Sequence, residues 1–500
     1  METTPNQIYL EFKHQKLEKQ AALNQLVTLI NNSEDVGIRV ASIEIIEKIG
    51  STDDKIFSLL ENLLVSDDNE KIRNSVIKVI KNNFIEKAFK LMKWAYQHET
   101  SIYCLILIVK TLGKIDDNKT KSFLIDKIEK IDIYHFKKSL GNLIKTKDIQ
   151  KLTNERLSEI ISNYIVIKHF QEKFTEIDYQ VENGVVTTLD LSGISSTIFG
   201  CNILRNLHDY IEVLKYLTKL DLKINKIAKL SKSIGILSCL TYLDLSNNNL
   251  KNLPQSIGSL NSLEFLFLKY NKLTDIPKSI GNLQKLKILD LRHNKIATLP
   301  DELNNLSLLE ILDLHGNLLK KLPKSLRGLK SLKKIELGLN KLQYVPEWIK
   351  DLNSLNTLGL GGNKFIVNLP SLSFSNSLTE LNLYDNNLKE LPEDIGSLNS
   401  LKTLILRNNK LNYLPDSFKN LKSLKKLDLS WNNLTTLPDW IGSLSSLEEL
   451  NLWGNNLKSL PLSVGNLSSL KILNLNFNTF IRKIPKSLKD LENNGLKIYK

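Results

Sequence analysis

Residues 240–262 read LTYLDLSNNNLKNLPQSIGSLNS, and close variants of this 23-residue unit follow one another along the second half of the chain. Leucine occupies the first, fourth, sixth and eleventh places, asparagine the ninth, proline the fifteenth and glycine the nineteenth. We number repeat positions from the first leucine. A fixed period of this length predicts a solenoid of stacked copies. Twelve copies begin at residues 217, 240, 263, 286, 309, 332, 355, 378, 401, 424, 447 and 470.

A single copy is too small to fold alone. Its apolar side chains would contribute ~10–20 kcal/mol on burial, whereas ordering its 23 residues costs ~35 kcal/mol. Stacked copies bury more, and each L-x-x-L-x-L stretch predicts a short parallel strand. The asparagine at position 9 can satisfy buried loop backbone between copies. Eleven of the twelve prolines recur near position 15, where proline helps to start a short helical turn.

Three regions are predicted: residues 1–175, 176–216 and 217–500. In the first region, apolar residues recur at helical spacing between residues 17 and 145, and short polar breaks separate the segments. A further amphipathic helix is expected between residues 148 and 174. The first region is therefore expected to be an all-α domain of antiparallel helical pairs. The third region holds the twelve copies and a partial thirteenth.

The middle region begins with a predicted β-hairpin. Ile177, Tyr179 and Val181 alternate with polar residues, Asn183-Gly184 is a strong two-residue turn, and residues 185–191 form the return strand. We expect this hairpin to cap the solenoid. A longer unit of 31 residues follows before the first regular copy, and its apolar spacing predicts a helix. The residues that mark this helix are Ile203, Leu204, Leu207, Ile211 and Leu214.

The repeated unit is that of a leucine-rich repeat, and its L-P-x-x-I-G-x-L ending resembles the intracellular Ras-group repeats of Ras-suppressor and scribble-like scaffold proteins. The resemblance covers residues 217–491. It implies an α/β leucine-rich repeat solenoid, with a curved parallel sheet on the concave face, preceded by the all-α helical-repeat domain. It also implies a signalling scaffold that binds a protein partner, in some members a small GTPase.

The helical region resembles HEAT-type repeats. Residues 36–41 (VGIRVA) and 70–75 (EKIRNS) lie 34 residues apart, and each opens a second helix after an acidic turn. Each carries one arginine, Arg39 or Arg73. A third copy near Ile102 lacks this arginine.

The candidate partner site is the concave sheet, where positions 3, 5, 7 and 8 are expected to point outward. Glycines in copies six and seven are expected to leave a bare hollow that admits a bulky group. Beyond it, exposed Tyr, Trp and Arg are residue types that anchor protein interfaces, although packing of aromatics on neighbouring strands is the alternative. The predicted hot spot is Tyr384, Arg407, Trp431 and Trp453. The full predicted site is Phe267, Tyr270, Arg292, His315, Gly359, Gly361, Tyr384, Asp385, Arg407, Trp431, Trp453 and Phe477.

Position 10 carries a basic rim. The net charge of the chain is +14, and residues 179–500 hold 41 Lys and Arg against 28 Asp and Glu. The alternative function is therefore a basic solenoid that binds nucleic acid or an anionic surface, with nucleic acid the less favoured partner. Solvation alone explains the rim as well. The rim lysines are Lys226, Lys272, Lys295, Lys341, Lys364 and Lys410.

No residue pattern indicates an enzyme or a cofactor. The phosphate-binding sequence G-x-x-x-x-G-K-[ST] is missing from the sequence, and no cysteine lies in a recognisable catalytic arrangement with histidine. His293 and His315 near Asp290 and Asp313 are spaced too irregularly to indicate a metal site. We expect a solvated ladder instead, in which the two acids pair with Arg292 and His315.

The composition favours a cytoplasmic protein. The three cysteines, Cys104, Cys201 and Cys239, are isolated in sequence and predict no disulfide framework. The first fifteen residues do not read as a signal peptide, and no run of about 18 apolar residues predicts a membrane span.

Overall fold

Two units make up the chain, one formed by residues 1–189 and 210–217 and the other by residues 190–209 and 218–500. Helices dominate the first unit and short parallel strands the second, which confirms the predicted fold class. The computed structural model describes residues 4–174, 177–194, 204, 207, 209–371, 377–479, 481 and 484–500.

The first unit is built from antiparallel helices whose starts are capped by side chains. Asp35 caps α3, because its carboxylate accepts the backbone N–H of Ile38, and Ser101 caps α7 in the same way. Helices α3, α5, α7 and α10 pack in succession. The helices are α1 Pro5–Lys13, α2 Lys19–Asn32, α3 Val36–Ile49, α4 Asp54–Ser66, α5 Glu70–Asn83, α6 Ala88–His98, α7 Ile102–Lys114, α8 Asn118–Glu129, α9 Tyr134–Lys145 and α10 Asn154–Lys173.

The two repeated arginines tie neighbouring helical pairs together. Arg39 on α3 lies 2.5 Å from the carboxylate of Asp67, which follows α4. Arg73 on α5 makes two parallel bonds to Glu99, which follows α6, at 2.9 and 2.8 Å. Burial raises the pKa of Glu99, but the hydrogen bonds from Arg73 and Ser101 outweigh burial and hold that pKa below its ordinary value. Each arginine therefore links one pair to the next.

The predicted hairpin is present in this unit as β1 (Asp178–Glu182) and β2 (Val185–Asp190). Asn183 and Gly184 both have positive φ, 49° and 78°, as a type I′ turn requires. Gly184 lies against the helices so closely that a Cβ atom would come within 2.9 Å of Ile160.

Each repeat of the second unit contributes a three-residue strand from positions 3 to 5. Neighbouring strands are parallel and in register, so the leucine at position 4 pairs with its equivalent, as Leu243 does with Leu266. After each proline near position 15, most copies form a five-residue 3-10 turn, such as Gln255–Ser259. The strands are β3 Lys219–Asp221, β4 Tyr242–Asp244, β5 Phe265–Phe267, β6 Ile288–Asp290, β7 Ile311–Asp313, β8 Lys334–Glu336, β9 Thr357–Gly359, β10 Glu380–Asn382, β11 Thr403–Ile405, β12 Lys426–Asp428, β13 Glu449–Asn451, β14 Ile472–Asn474 and β15 Lys497–Tyr499, with α11 Lys486–Asn493 before the last.

The asparagine at position 9 forms a ladder of buried hydrogen bonds. The side-chain amide of Asn317 donates to the carbonyls of Leu291 in the preceding copy and of Leu314 in its own copy, each at 3.0 Å. Its Oδ1 accepts the N–H of Ile296 in the preceding copy at 3.0 Å. The ladder confirms the predicted structural role of this position. The same three bonds recur at Asn248, Asn271, Asn294, Asn340, Asn363, Asn409, Asn432, Asn455 and Asn478.

Copy seven has one extra residue between Asn363 and Pro370, and this insertion breaks one rung of the ladder. The insertion turns Ile366 into the interior and leaves Phe365 and Val367 exposed on the rim. Asn386 in the next copy keeps both donor bonds, but among the described residues its buried Oδ1 has no partner. The inserted residue has displaced the backbone N–H that other copies supply at this place.

The helix predicted in the longer unit before copy one is wrong in its described part. The chain forms only a five-residue 3-10 turn there, Asp209–Val213. The N–H of Leu214 bonds to the carbonyl of Ile211 at 3.0 Å, three residues back, so the segment winds as a 3-10 turn. Leu204, Leu207, Ile211 and Leu214 are buried as expected, whereas Ile203 lies outside the described residues.

We predict that Asn317→Ala lowers the free energy of unfolding of the solenoid by about 2–4 kcal/mol. The substitution leaves a buried N–H and two buried carbonyls without their partner, and each unsatisfied group costs about 1–3 kcal/mol before relaxation. Urea unfolding followed by tryptophan fluorescence measures the change.

The matched control is Asn433→Ala, at the exposed position 10 of a later copy. Its unfolding midpoint is expected to stay close to that of the parent. An Asn317 variant as stable as this control would contradict the proposed role of the ladder.

Candidate functional site

The strand face is the surface formed by repeat positions 3, 5, 7 and 8. The expectation that position 5 points into solvent is wrong for four of its six acids, because Asp221, Asp244, Asp290 and Asp313 are only 2–9% exposed. In each, Oδ1 accepts the backbone N–H two residues on, as Asp244 does from Ser246 at 2.8 Å. These carboxylates serve their own chain, so position 5 supplies fewer contact residues than the sequence suggested.

Arg292 joins two of these acids across neighbouring strands. It makes paired bonds to Asp290 at 3.0 and 2.7 Å, and its Nε lies 3.2 Å from Asp313. The predicted pairing with Arg292 is present, but His315 donates only its backbone N–H to Asp313, and the acids are buried rather than solvated. Burial, opposed by the N–H of His315 and by Arg292, raises the pKa of Asp313 to about 6. Burial and the nearby His293 lower the pKa of His315.

The predicted glycine hollow is wrong, because side chains of neighbouring copies occupy the space. A Cβ atom on Gly359 would lie 1.7 Å from the carboxylate of Glu336, and one on Gly361 would lie 2.0 Å from the ring of Tyr384. A Cβ atom on Gly338 would lie 2.6 Å from the ring of His315. Each of these glycines therefore makes room for a larger side chain from a neighbouring copy.

Three of the four predicted hot-spot residues lie together near the C-terminal end of the sheet. The rings of Trp431 and Trp453 are 5.5 Å apart, and Phe477 lies 5.9 Å from Trp453. The guanidinium of Arg407 is 5.9 Å from the centre of the Trp453 ring. We name Arg407, Trp431, Trp453 and Phe477 the aromatic cluster.

Tyr384 does not join this cluster. Its ring turns toward the preceding copy and lies over Gly361. Burial raises the pKa of Tyr384, with the acids Asp385 and Glu336 adding to the effect. Asp385, also predicted, accepts a hydrogen bond from Asn408 at 2.7 Å. Tyr384 and Asp385 therefore contact neighbouring copies in the middle of the strand face.

A second group of rings lies near the N-terminal end. Tyr270 stacks on His293 at 4.6 Å, and His293 meets the ring of His315 at 5.4 Å. Phe267 packs on Tyr242 at 5.4 Å. Sequence analysis did not single out Tyr242, although its place at position 3, beside an aromatic at position 5 of the next copy, could have indicated this pair.

Position 8 holds a feature that sequence analysis missed. The residue there has positive φ, between 48° and 76°, in all twelve copies. Its N–H donates to the position 7 carbonyl of the next copy, as Tyr270 does to Arg292 at 2.8 Å, while the asparagine after it turns inward. The Asn, Asp and Gly at several of these positions were the available signal. The residues are Ile224, Asn247, Tyr270, His293, Gly316, Leu339, Gly362, Asp385, Asn408, Trp431, Gly454 and Phe477.

The large side chains at position 8 are costly for the backbone. A left-handed conformation costs about 1–2 kcal/mol for residues other than glycine, and asparagine tolerates it best. Even so, Tyr270, Trp431 and Phe477 occupy it with 51%, 45% and 71% of their surfaces exposed. Strain retained by exposed apolar residues is typical of functional surfaces.

Two further possibilities are a metal site and a membrane-spanning helix. In the described part of the chain, no group of three His, Cys, Asp or Glu side chains could hold a metal ion. None of the described helices is long and apolar enough to cross a lipid bilayer. Burial raises the pKa of the Cys104 thiol to about 12, which disfavours the reactive thiolate.

The family of the chain follows from its sequence. Residues 183–293, 277–373 and 367–494 match the family model of a leucine-rich repeat region. Because these matches cover more than half of the chain, it belongs to the leucine-rich repeat family. No curated protein matches it.

Two solved structures show the same architecture. A leucine-rich repeat protein of Leptospira interrogans is 38% identical over 60% of this chain and 76% of its own, with a TM-score of 0.56. An internalin of Listeria monocytogenes, InlF, is 22% identical over 63% of this chain and 86% of its own, with a TM-score of 0.53. At that identity the internalin supports the fold alone.

We predict that Asp313→Asn flattens the pH dependence of stability. Since the pKa of this carboxyl rises from 3.8 to about 6 on folding, the folded chain holds the proton more tightly. Ionisation therefore removes stability as the pH rises from about 4 to 6, by at most about 3 kcal/mol. As the pH rises across this window, the urea midpoint of the variant is expected to increase relative to that of the parent. Asp275→Asn, at an exposed site, is the control for the loss of a surface carboxylate.

We predict that Ile224→Asn raises the free energy of unfolding by roughly 1 kcal/mol, because asparagine tolerates the left-handed conformation that a β-branched residue resists. Ile236→Asn is the control, since Ile236 is similarly exposed but lies in a 3-10 turn without positive φ. Chemical denaturation of both variants measures the difference. Equal effects at the two sites would show that the backbone strain at position 8 is negligible.

Proposed function

We propose that this protein is a non-enzymatic scaffold that binds a protein partner on the strand face of its solenoid. The observation that carries the proposal is the aromatic cluster, in which two tryptophans and a phenylalanine pack at tilted angles beside Arg407 near one end of the strand face. Trp, Tyr and Arg supply most of the binding energy at protein interfaces.

The cluster has the makeup of an interface centre. Trp431 and Phe477 are exposed, whereas Trp453 between them is half-buried, and its indole N–H has no partner among the described residues. Arg407 reaches Trp453 across the small, buried Ser430 of the intervening copy. Exposed Trp431 and Phe477 also retain positive φ, so the chain keeps these rings against a backbone preference.

The finer parts of the proposal rest on the resemblance of the repeats. The L-P-x-x-I-G-x-L ending supports a signalling scaffold of the Ras group, located in the cytoplasm, with a small GTPase as a candidate partner. The linked pairs Arg39–Asp67 and Arg73–Glu99 support a HEAT-like character for the helical region, which could engage a second partner.

The test compares partners of the full-length chain with those of the variant Trp431→Ala/Trp453→Ala/Phe477→Ala. Affinity capture from a lysate of the source organism, quantified by mass spectrometry, measures the partners. We expect proteins enriched by the parent to fall at least tenfold with the variant, because hot-spot residues contribute roughly 2 kcal/mol or more each.

The matched control is Tyr344→Ala/Tyr413→Ala/Leu462→Ala, which removes three exposed apolar side chains outside the strand face. It should retain the partners. If the cluster variant unfolds, the single variant Trp431→Asn tests the same point, because asparagine suits the backbone there. Unchanged partners in a folded cluster variant would overturn the proposal.

A further inference from the structure

One edge of the solenoid exposes lysine and apolar residues side by side. Positions 8 and 10 flank the buried asparagine of position 9, so both project outward along the same edge. In copies one, three and six this places Ile224, Tyr270 and Leu339 beside a rim lysine two residues on. We name the surface formed by positions 8 and 10 of copies one to seven the basic edge.

The lysines of the basic edge are without acidic partners in the described part of the chain. None of the five lysines of this edge forms an ion pair there, and no acid occurs at position 10 in any copy. These lysines are Lys226, Lys272, Lys295, Lys341 and Lys364. Position 2, at the start of each strand, differs. There Lys287 pairs with Glu264 at 2.7 Å, and Glu448 pairs with lysines on both sides. Positive charge is therefore neutralised at the start of the strands and left free beyond their ends.

The apolar residues of this edge are unusually exposed. Ile224, Tyr270 and Leu339 expose 50%, 51% and 43% of their surfaces, and all three have positive φ. The insertion in copy seven adds Phe365, 58% exposed, directly after Lys364. Exposed apolar side chains that also strain the backbone are poorly explained by solubility or by packing.

We propose that the basic edge is a second docking surface, which binds an acidic polypeptide segment carrying apolar side chains. Carboxylates of that segment would pair with the free lysines, while its apolar side chains pack on Ile224, Tyr270 and Leu339. The proposal goes beyond the aromatic cluster, since the two surfaces share no residue.

The observations favour a polypeptide over nucleic acid. Stacking of bases requires aromatic platforms, whereas two of the three position 8 residues named above are aliphatic. An acidic peptide can place its charges on the lysines alone.

The experiment selects random peptides displayed on phage against the full-length chain. We expect the enriched peptides to combine Asp and Glu with Leu, Ile or aromatic residues. Fluorescein-labelled copies of these peptides, and poly-uridylate, are then titrated against three variants of the chain.

Lys272→Gln/Lys295→Gln/Lys341→Gln is expected to weaken peptide binding about tenfold, since three exposed ion pairs with the peptide are lost. Lys232→Gln/Lys285→Gln/Lys324→Gln removes the same charge from exposed lysines elsewhere and should leave binding within about twofold. The cluster variant Trp431→Ala/Trp453→Ala/Phe477→Ala should also retain the peptide, so failure of this proposal is distinguishable from failure of the proposed function.

Three outcomes would overturn the inference. The enriched peptides could lack acidic residues, or both lysine variants could lose binding equally, which would show an effect of net charge alone. Tighter binding of poly-uridylate than of the peptides, lost in the Lys272/Lys295/Lys341 variant, would assign the edge to nucleic acid instead.

Discussion

The solenoid depends on the side-chain amide at position 9. Each asparagine donates to a carbonyl of its own copy and to one of the preceding copy, and it accepts an N–H from that preceding copy. Leucine burial supplies the larger free energy, but apolar contacts alone would allow one copy to slide along the next. The hydrogen bonds of the asparagine amide prevent such sliding, because a shifted copy would bury unpaired polar groups. Asn386 illustrates the point, since one inserted residue in copy seven leaves its Oδ1 without a described partner.

The asparagine ladder decides which repeat positions remain on the surface. The side chains at positions 1, 4, 6, 9 and 11 lie in the interior, and the buried acids at position 5 accept hydrogen bonds from their own backbone. Positions 3, 7, 8 and 10 remain free to vary. The conformation at position 8 follows directly from the ladder. The chain must turn inward to place the asparagine at position 9, while the N–H of position 8 still bonds to the next copy. The left-handed conformation meets both demands, and it pushes the side chain outward.

Two groups of rings and one row of unpaired lysines mark the outer surface of the solenoid. The rings of Trp431, Trp453 and Phe477 lie at one end of the strand face, whereas Tyr270, His293 and His315 form a second group near the other. The lysines at position 10 form no ion pair with described residues, although position 2 carries matched Lys–Glu pairs. Such a division suits two different partners better than one.

The sequence by itself determined the architecture, because the period, the leucines and the asparagines each have one structural use when copies stack. It also predicted that Arg407, Trp431 and Trp453 lie close together, since they occupy positions 7 and 8 of three successive copies and each copy stacks on the one before it. Only the tertiary structure decided how side chains fill the space between copies. Gly359 and Gly361 leave no hollow, because Glu336 and Tyr384 lean over them. The direction in which a side chain leans depends on its neighbours in space, and repeat spacing carries no information about it.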